Sequence, residues 1–160
     1  MNEEQVFVAT RKVFALYAAF FKAVAQEIGM EKALALHASA HEEQGMASAK
    51  LIRDKVGDAP LDIQKLGSIL QQSNLSIGIQ SELTQATASS ALFKNSQCPM
   101  YDGYRMGGLN DETAEELCQR GAAAKLGTML KQIDPRITYR LKYYRLKSDE
   151  VCEEEIAYGT

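Results

Sequence analysis

The N-terminal part of the chain carries apolar side chains at helical spacing. Between residues 4 and 28 they recur at three- and four-residue steps, and Gly29 follows as a stop signal, so we predict one amphipathic helix there. The apolar positions are Val6, Val13, Phe14, Tyr17, Phe20, Phe21, Val24 and Ile28. Such a broad apolar face must be buried against another surface. We favour the protein's own core, and the alternative is a second copy of the chain in a homo-oligomer.

A second helix is predicted from Met30 to Val56, where Gly57 ends it. Its inner stripe places two imidazoles, a glycine and a small hydroxyl side chain between larger apolar residues: Leu34, His37, His41, Gly45, Ser48 and Ile52. A short third helix is predicted from Pro60 to Asn74, because proline suits the first turn of a helix.

The pattern then changes to the alternation that is typical of strands. Residues 75–79 alternate apolar and polar side chains, a turn is predicted near Glu82, and Thr87–Lys94 is predicted as the next strand. The segment Ser96–Gly108 (SQCPMYDGYRMGG) has the glycine and proline content of a loop.

The last part of the chain predicts one more helix and a hairpin. Asn110, followed by two acidic residues, is a good helix start, and the helix is expected to continue to about Gln132. Ile137–Tyr144 and Val151–Tyr158 alternate like paired strands around a turn at Lys147–Glu150.

These elements predict the fold class. Helices and antiparallel strands occur in separate runs, which indicates α+β rather than alternating α/β. We expect one domain over residues 1–160, with a helical half (1–74) and a hairpin–helix–hairpin half (75–160). The N-terminal helices and one helix of the C-terminal half would pack on a small antiparallel sheet of two hairpins.

Composition narrows the classes of function. Apolar residues make up 46% and charged residues 24% of the chain, a globular balance. The net charge of -3 and the lack of a basic run argue against nucleic-acid binding, and no apolar stretch is long enough to span a membrane. The N-terminus MNEEQVF begins with acids, unlike a signal peptide. With an odd number of cysteines, three, we expect free thiols and a cytoplasmic location.

The final strand contains a candidate general acid or base. Strand parity groups Cys152 and Glu154 on the face expected to lie under the helices, together with Tyr139 and Tyr143. A carboxylate buried there would be costly to desolvate unless its pKa rises, and a raised pKa is typical of catalytic carboxyl groups. The alternative is an edge strand that leaves Glu154 in solvent, as is usual for glutamate.

The other two cysteines lie on elements that could meet this strand. Cys118 belongs to the inner stripe of the last helix, next to Gly121 and Ala122, which leave space either for a ligand or for tight packing. Cys98 precedes Pro99 at a corner where a thiol can be exposed.

Two histidines share one helical face. His37 and His41 are one turn apart, the separation that two metal-ligating imidazoles need, and a cysteine could complete a site. Their sequence, HASAHEE, lacks the HExxH pattern, and no CxxC pair is present. We therefore favour a pair that lines a pocket wall or packs with its ring nitrogens bonded.

The C-terminal half resembles a known family. The features are Ser96–Tyr101 with its Cys-Pro corner, Glu116–Cys118, Asp134-Pro135, and an Arg/Lys/Tyr-rich strand followed by Val151–Glu153. Over roughly residues 90–158 this pattern is similar to the L-2-amino-thiazoline-4-carboxylic acid hydrolase family. That family is distantly similar to four-vinyl reductase-type ligand-binding domains of bacterial sensors, whose zinc site needs a Glu-x-x-Cys pair. The strand Thr138–Arg145 contains neither residue, so we expect no metal and no other cofactor.

The resemblance implies a reaction on a small-molecule substrate. In the type reaction of the family, 2-aminothiazoline-4-carboxylate is opened to N-carbamoyl-cysteine. On this hypothesis the candidate catalytic residues are Cys98, Cys118, Cys152, His41 and Glu154. A thiolate from Cys118 or Cys98 would attack the amidine carbon, and water would then resolve the covalent adduct. His41 or Glu154 would transfer protons.

The expected substrate-binding residues are His37, Tyr101, Arg140, Tyr139 and Tyr143, with Arg140 or Arg136 holding the carboxylate. The alternative function is a non-catalytic module that binds a small aromatic or heterocyclic ligand in the same pocket, for which tyrosines, including Tyr104, are equally suited.

Overall fold

The computed structural model describes residues 2–57 and 61–159, and within these ranges the chain forms five helices and one four-stranded antiparallel sheet. The elements in chain order are α1 (Glu3–Ile28), α2 (Met30–Val56), α3 (Ile63–Ser76), β1 (Gln80–Ala86), β2 (Ser90–Gln97), α4 (Pro99–Met106), α5 (Asp111–Ile133), β3 (Ile137–Tyr143) and β4 (Cys152–Tyr158). The predicted α+β class is confirmed.

The sheet consists of the two predicted hairpins, joined side by side. Its strand order is β1-β2-β4-β3, and each neighbouring pair is antiparallel. The register places Glu154 directly opposite Phe93 on β2 and Leu141 on β3. Because directly opposed residues share a face of the sheet, the glutamate lies between two apolar neighbours.

One face of the sheet is covered by helices, and a second helical layer packs on the first. The largest cluster of buried residues joins α3 and α5 to the strands, with Leu66, Phe93, Leu130 and Ile156 at its centre. A second cluster, which includes Phe21, lies among α1, α2, α4 and α5. The core therefore sits on the inner face of the sheet, which we define as the face toward α3 and α5.

The long helices begin and end close to where the sequence predicts. Asn2 and Gln5 form a reciprocal capping box at the start of α1, and the side chain of Asn110 accepts a hydrogen bond from the Thr113 amide at the start of α5. The face of α1 that packs inward is narrower than expected, because Val13 and Phe20 are 65% and 63% exposed. None of the helices in the described ranges is both long and apolar enough to cross a membrane.

The boundaries between α3 and β2 differ from the prediction. The predicted start at Pro60 lies outside the described residues; α3 begins at Ile63, where the Asp62 side chain caps the helix, and it continues to Ser76. The strand predicted at residues 75–79 and the turn near Glu82 are therefore wrong, since Glu82 lies within β1. The second strand is shifted to Ser90–Gln97.

The segment predicted as a loop contains a helix. Pro99 occupies the first turn of α4, a position where proline is favoured because its missing N–H is not needed. Gly103 lets α4 approach α1 closely, since a Cβ at this position would lie 2.5 Å from the Cβ of Phe14. The proline and the glycine that suggested a loop are therefore requirements of this helix and its packing.

Candidate functional site

A cavity of about 550 Å³ lies between α2, α3, α5 and the inner face of the sheet. The five residues with proposed catalytic roles line it together: Cys98, Cys118, Cys152, His41 and Glu154. They come from the corner before α4, from α5, from β4 and from α2. Asn95, Tyr104, Tyr144 and Lys125 also line the cavity.

A β-bulge decides which tyrosine of β3 reaches the cavity. Leu141 pairs with Glu154 and Tyr143 pairs with Glu153, so Lys142 is an extra residue between two consecutive ladder positions. The bulge reverses the inward–outward alternation. Tyr143 is consequently 45% exposed, and its hydroxyl donates a hydrogen bond to Glu150, which excludes it from the predicted binding site. Tyr144 is buried and lines the cavity in its place.

The carboxyl group of Glu154 is the acid at the inner end of the cavity. Burial raises its pKa, while the side chains of Asn95 and Tyr139 favour its ionised form to a smaller extent. No salt bridge joins Glu154 to a cation among the described residues. The inward orientation predicted by strand parity thus gives a carboxyl group that retains its proton to higher pH than an ordinary glutamate.

The three thiols share this environment. Burial raises the pKa of Cys98 to about 12 and that of Cys118 well above its ordinary value, and the neighbouring thiols and Glu154 add to both shifts. Burial also raises the pKa of Cys152, although the backbone N–H of Arg145, 3.5 Å from its sulfur, acts in the opposite direction. At neutral pH the thiols are protonated, which does not favour attack by a thiolate.

His37 belongs to the core and not to the cavity wall. Its Nδ1 lies 2.6 Å from the Tyr17 hydroxyl, and its Nε2 lies 2.9 Å from the carbonyl oxygen of Leu117. A carbonyl can only accept, so Nε2–H donates and Nδ1 accepts from Tyr17 in the neutral ring. Burial lowers the pKa of His37, in agreement with a neutral ring. With both nitrogens bonded to protein, the imidazole is not free to bind a substrate, so the predicted role is corrected.

His41, one turn later, has a different environment. Burial, followed by the proximity of His37 and Lys125, lowers its pKa to about 4, so the ring is neutral at physiological pH. Its Nδ1 is buried and has no hydrogen-bond partner among the described residues. Both rings pack against α5 at Gly121, where a Cβ would lie 2.5 Å from Nε2 of His37. The glycine is required for this contact between α2 and α5.

Four other predicted binding residues do not line the cavity. Arg140 pairs with Glu155 on the outer face of the sheet, and Arg136 is bound to Asp134, so neither arginine can hold a ligand's carboxylate in the cavity. Tyr101 donates its hydroxyl proton to the carbonyl oxygen of Leu146. Tyr139 lies on the inner face beside Glu154, but its buried hydroxyl has no hydrogen bond of standard geometry.

Lys125 was not selected from the sequence. It lies on α5, lines the cavity, and has a lowered pKa because of burial. No carboxylate within the described ranges forms an ion pair with it. A lysine on a helix usually predicts a solvated face, so only the inward-facing stripe of α5, which also contains Cys118 and Ala122, could have indicated its position.

Several buried polar atoms in the cavity wall have no hydrogen-bond partner among the described residues. They are Nδ1 of His41, Oδ1 of Asn95 and the hydroxyl oxygen of Tyr144. Buried polar atoms are nearly always hydrogen-bonded, and such a group of exceptions around one cavity calls for an explanation.

Neither the models of known protein families nor the curated proteins give a match to this chain. The site must therefore be interpreted from its own geometry. Among the residues that the structure describes, no three histidine, cysteine, aspartate or glutamate side chains are grouped so that they could hold a metal ion.

Proposed function

We propose that this protein binds a small polar heterocyclic ligand in the central cavity. The observation that carries the proposal is the set of buried polar atoms without partners among the described residues, on His41, Asn95 and Tyr144, in the wall of the cavity that Glu154 also lines. A ligand that supplied donors and acceptors along this wall would satisfy atoms that are otherwise costly to bury. The remaining wall is largely apolar and suits a flat ring.

Two titratable groups of the cavity, Glu154 and Lys125, define the ligand's charges. Among the described residues Glu154 has no cationic partner and would pair with an amidine or a similar N–H donor, whereas Lys125 has no anionic partner and would pair with a carboxylate. Glu154 contributes to the raised pKa of Cys118, so the thiol and the carboxyl group are near each other. Cys118 and Lys125 are two turns apart on α5, or roughly 10 Å along its axis. A small ligand, with the long lysine side chain reaching toward it, fits this span.

Hydrolysis of such a ligand is the second candidate function, and the raised pKa of Glu154 favours it. A carboxyl group poised nearer neutrality can accept a proton from water and return it to the departing ring sulfur. Water would add to the amidine carbon, and the ring C–S bond would then break, which leaves the carbamoyl group on nitrogen and releases the thiol. This route needs no thiolate, in contrast to the scheme suggested by the family resemblance.

The first experiment measures binding of 2-aminothiazoline-4-carboxylate by isothermal titration calorimetry. Glu154→Gln and Lys125→Met should each weaken binding by about tenfold or more, as expected for a lost charge-assisted hydrogen bond. The matched controls are Glu153→Gln on the outer face and Lys131→Met near the end of α5, which is exposed. If the controls weaken binding as much as the cavity variants, or if no saturable binding occurs, the proposal is wrong.

A second experiment separates binding from catalysis. The same compound is incubated with the protein, and ring opening is followed by the appearance of N-carbamoyl-cysteine. Turnover that is lost in Glu154→Gln and retained when each of the three cysteines is replaced singly by serine would support the water mechanism. Turnover that requires one particular thiol would contradict it, and binding without turnover would leave the ligand-binding function alone.

A further inference from the structure

A second cleft, of about 580 Å³, opens on the surface between α1, α4 and the β3–β4 connection. Its wall contains three cationic side chains from three separate segments, Arg11, Arg105 and Lys147, and one acid, Asp102. The whole chain has a net charge of -3, so this local excess of positive charge runs against the overall balance. The cleft is distinct from the central cavity, and the two share no lining residue.

The cations of this cleft are held in place by the fold. Gly103 lets α4 approach α1 so closely that a Cβ there would lie 2.7 Å from the carbonyl oxygen of Arg11. Tyr101 ties α4 to the β3–β4 connection through its hydrogen bond to Leu146. The guanidinium group of Arg105 lies 5.7 Å from the centre of the Tyr101 ring. The three segments therefore meet through specific contacts and not only through exposed side chains.

Arg11 is the side chain that indicates a ligand. Its guanidinium lies over the Phe7 ring, 5.7 Å from the centroid, and its Nε is buried without a hydrogen-bond partner. It forms no ion pair with any described residue, and the same holds for Lys147. Arg105 is paired with Asp111, which balances its charge, so it mainly forms one side of the cleft.

We propose that this cleft binds the phosphate group of a small phosphate monoester, with Arg11 and Lys147 as its principal contacts. A phosphate monoester carries a charge of about -1.5 to -2 and three acceptor oxygens, so it can use cations that approach from several sides. A carboxylate is satisfied by one arginine fork and has less use for such an arrangement. Asp102 opposes the anion, and its removal should strengthen binding.

The test uses glycerol 3-phosphate and the full chain. Its binding is followed in ¹⁵N–¹H spectra, which report the backbone amides of the cleft and, in the parent protein, the Nε–H resonance of Arg11. We expect saturable shifts of these resonances, with the affinity measured from the backbone amides reduced about tenfold or more in Arg11→Ala and in Lys147→Ala. Lys12→Ala is the matched control, because it removes the same charge from the next residue of α1, which is not part of the cleft. Asp102→Asn should tighten binding.

Several outcomes would overturn the proposal. These are a shift that does not saturate, equal weakening by Lys12→Ala, weaker binding in Asp102→Asn, and displacement of glycerol 3-phosphate by equimolar acetate. Lys147 is exposed, so its replacement gives a clear answer even if Arg11→Ala disturbs folding. Glu154→Gln should leave phosphate binding unchanged, which keeps this result independent of the central cavity.

Discussion

Three consecutive glutamates on β4 allow the two faces of the sheet to be compared directly. On the outer face Glu153 lies 3.3 Å from the ammonium group of Lys94, and Glu155 lies 3.7 Å from that of Lys142. Glu154, on the inner face, lies between Phe93 and Leu141 and has a raised pKa. The same residue type is thus a screened surface charge on one face and a desolvated acid on the other, because strand alternation alone assigns the face.

The largest effect should come from removing apolar volume on the inner face. Ile156 is fully buried two residues after Glu154, so Ile156→Ala should lower the free energy of unfolding by about 2–5 kcal/mol. Urea denaturation measures this change. Leu36→Ala, which shortens a side chain that is 60% exposed on α2, should cost less than about 0.5 kcal/mol. Similar losses in both variants would contradict the description of the core.

A smaller loss of stability is expected from a substitution on α5, the helix that covers the inner face. In Gly121→Ala the new methyl group would meet the ring of His37, and the overpacking should cost about 1–3 kcal/mol, partly offset by alanine's better helix propensity. Gly127, on the same helix, has no atom within 4 Å of the corresponding position. Gly127→Ala should therefore stabilise the protein by up to about 1 kcal/mol, as measured by thermal unfolding. Equal effects of both substitutions would rule out the tight contact at Gly121.

Glu154 should make stability depend on pH in a particular direction. Its pKa is raised above the ordinary value of 4.5, so the folded protein binds this proton more tightly than the unfolded chain does. The free energy of unfolding should therefore fall as the pH rises from the unfolded pKa through the folded pKa, and then level off.

Denaturation at a series of pH values tests this dependence. Glu154→Gln should remove the decline and be more stable than the parent protein at neutral pH, whereas Glu153→Gln should retain the decline. A decline that persists unchanged in Glu154→Gln would assign it to another group.

The smallest effect on stability is expected from a substitution on the outer face of the sheet. Glu153→Gln removes the ion pair with Lys94, whose side chain is 44% exposed, and should cost less than about 1 kcal/mol. The loss should disappear in about 1 M salt, where exposed charges are screened. A larger or salt-independent loss of stability, measured by urea denaturation, would contradict the description of Glu153 as a screened surface charge.

The long helices could be predicted because the features that define each helix lie within its own segment of the sequence. Apolar spacing and the glycines after α1 and α2 give boundaries within one residue of those observed. Helix α4 could not be predicted in this way, because Gly103 is explained by its contact with α1, far away in sequence. The end of α3 was also missed, since Ile77 and Ile79 alternate like strand residues while the strand begins only at Gln80.

In the candidate site, too, features set by a single segment could be predicted, and features set by contacts between distant segments could not. Parity along one strand placed Cys152 and Glu154 on a shared face, the structure turns that face inward, and all three cysteines line one cavity. Arg140 and His37 were assigned by residue type, but Arg140 lies on the outer face of the sheet and His37 is bound by groups that sequence spacing does not reveal. The catalytic roles themselves stay predictions. The protonation state of the thiols depends on burial by the whole fold, which a single sequence does not show.

The extra residue at Lys142 sets which aromatic group faces the cavity. If Lys142 itself paired with Glu153, Tyr143 would come opposite Cys152, so the phenol that now reaches solvent would turn toward the cavity and its neighbour would turn away. Deleting Lys142 should keep the present facing, because Tyr143 then follows Leu141 directly and still pairs with Glu153. A one-codon deletion at this point should therefore preserve the wall, whereas a slip of one residue in the pairing would exchange its two tyrosines.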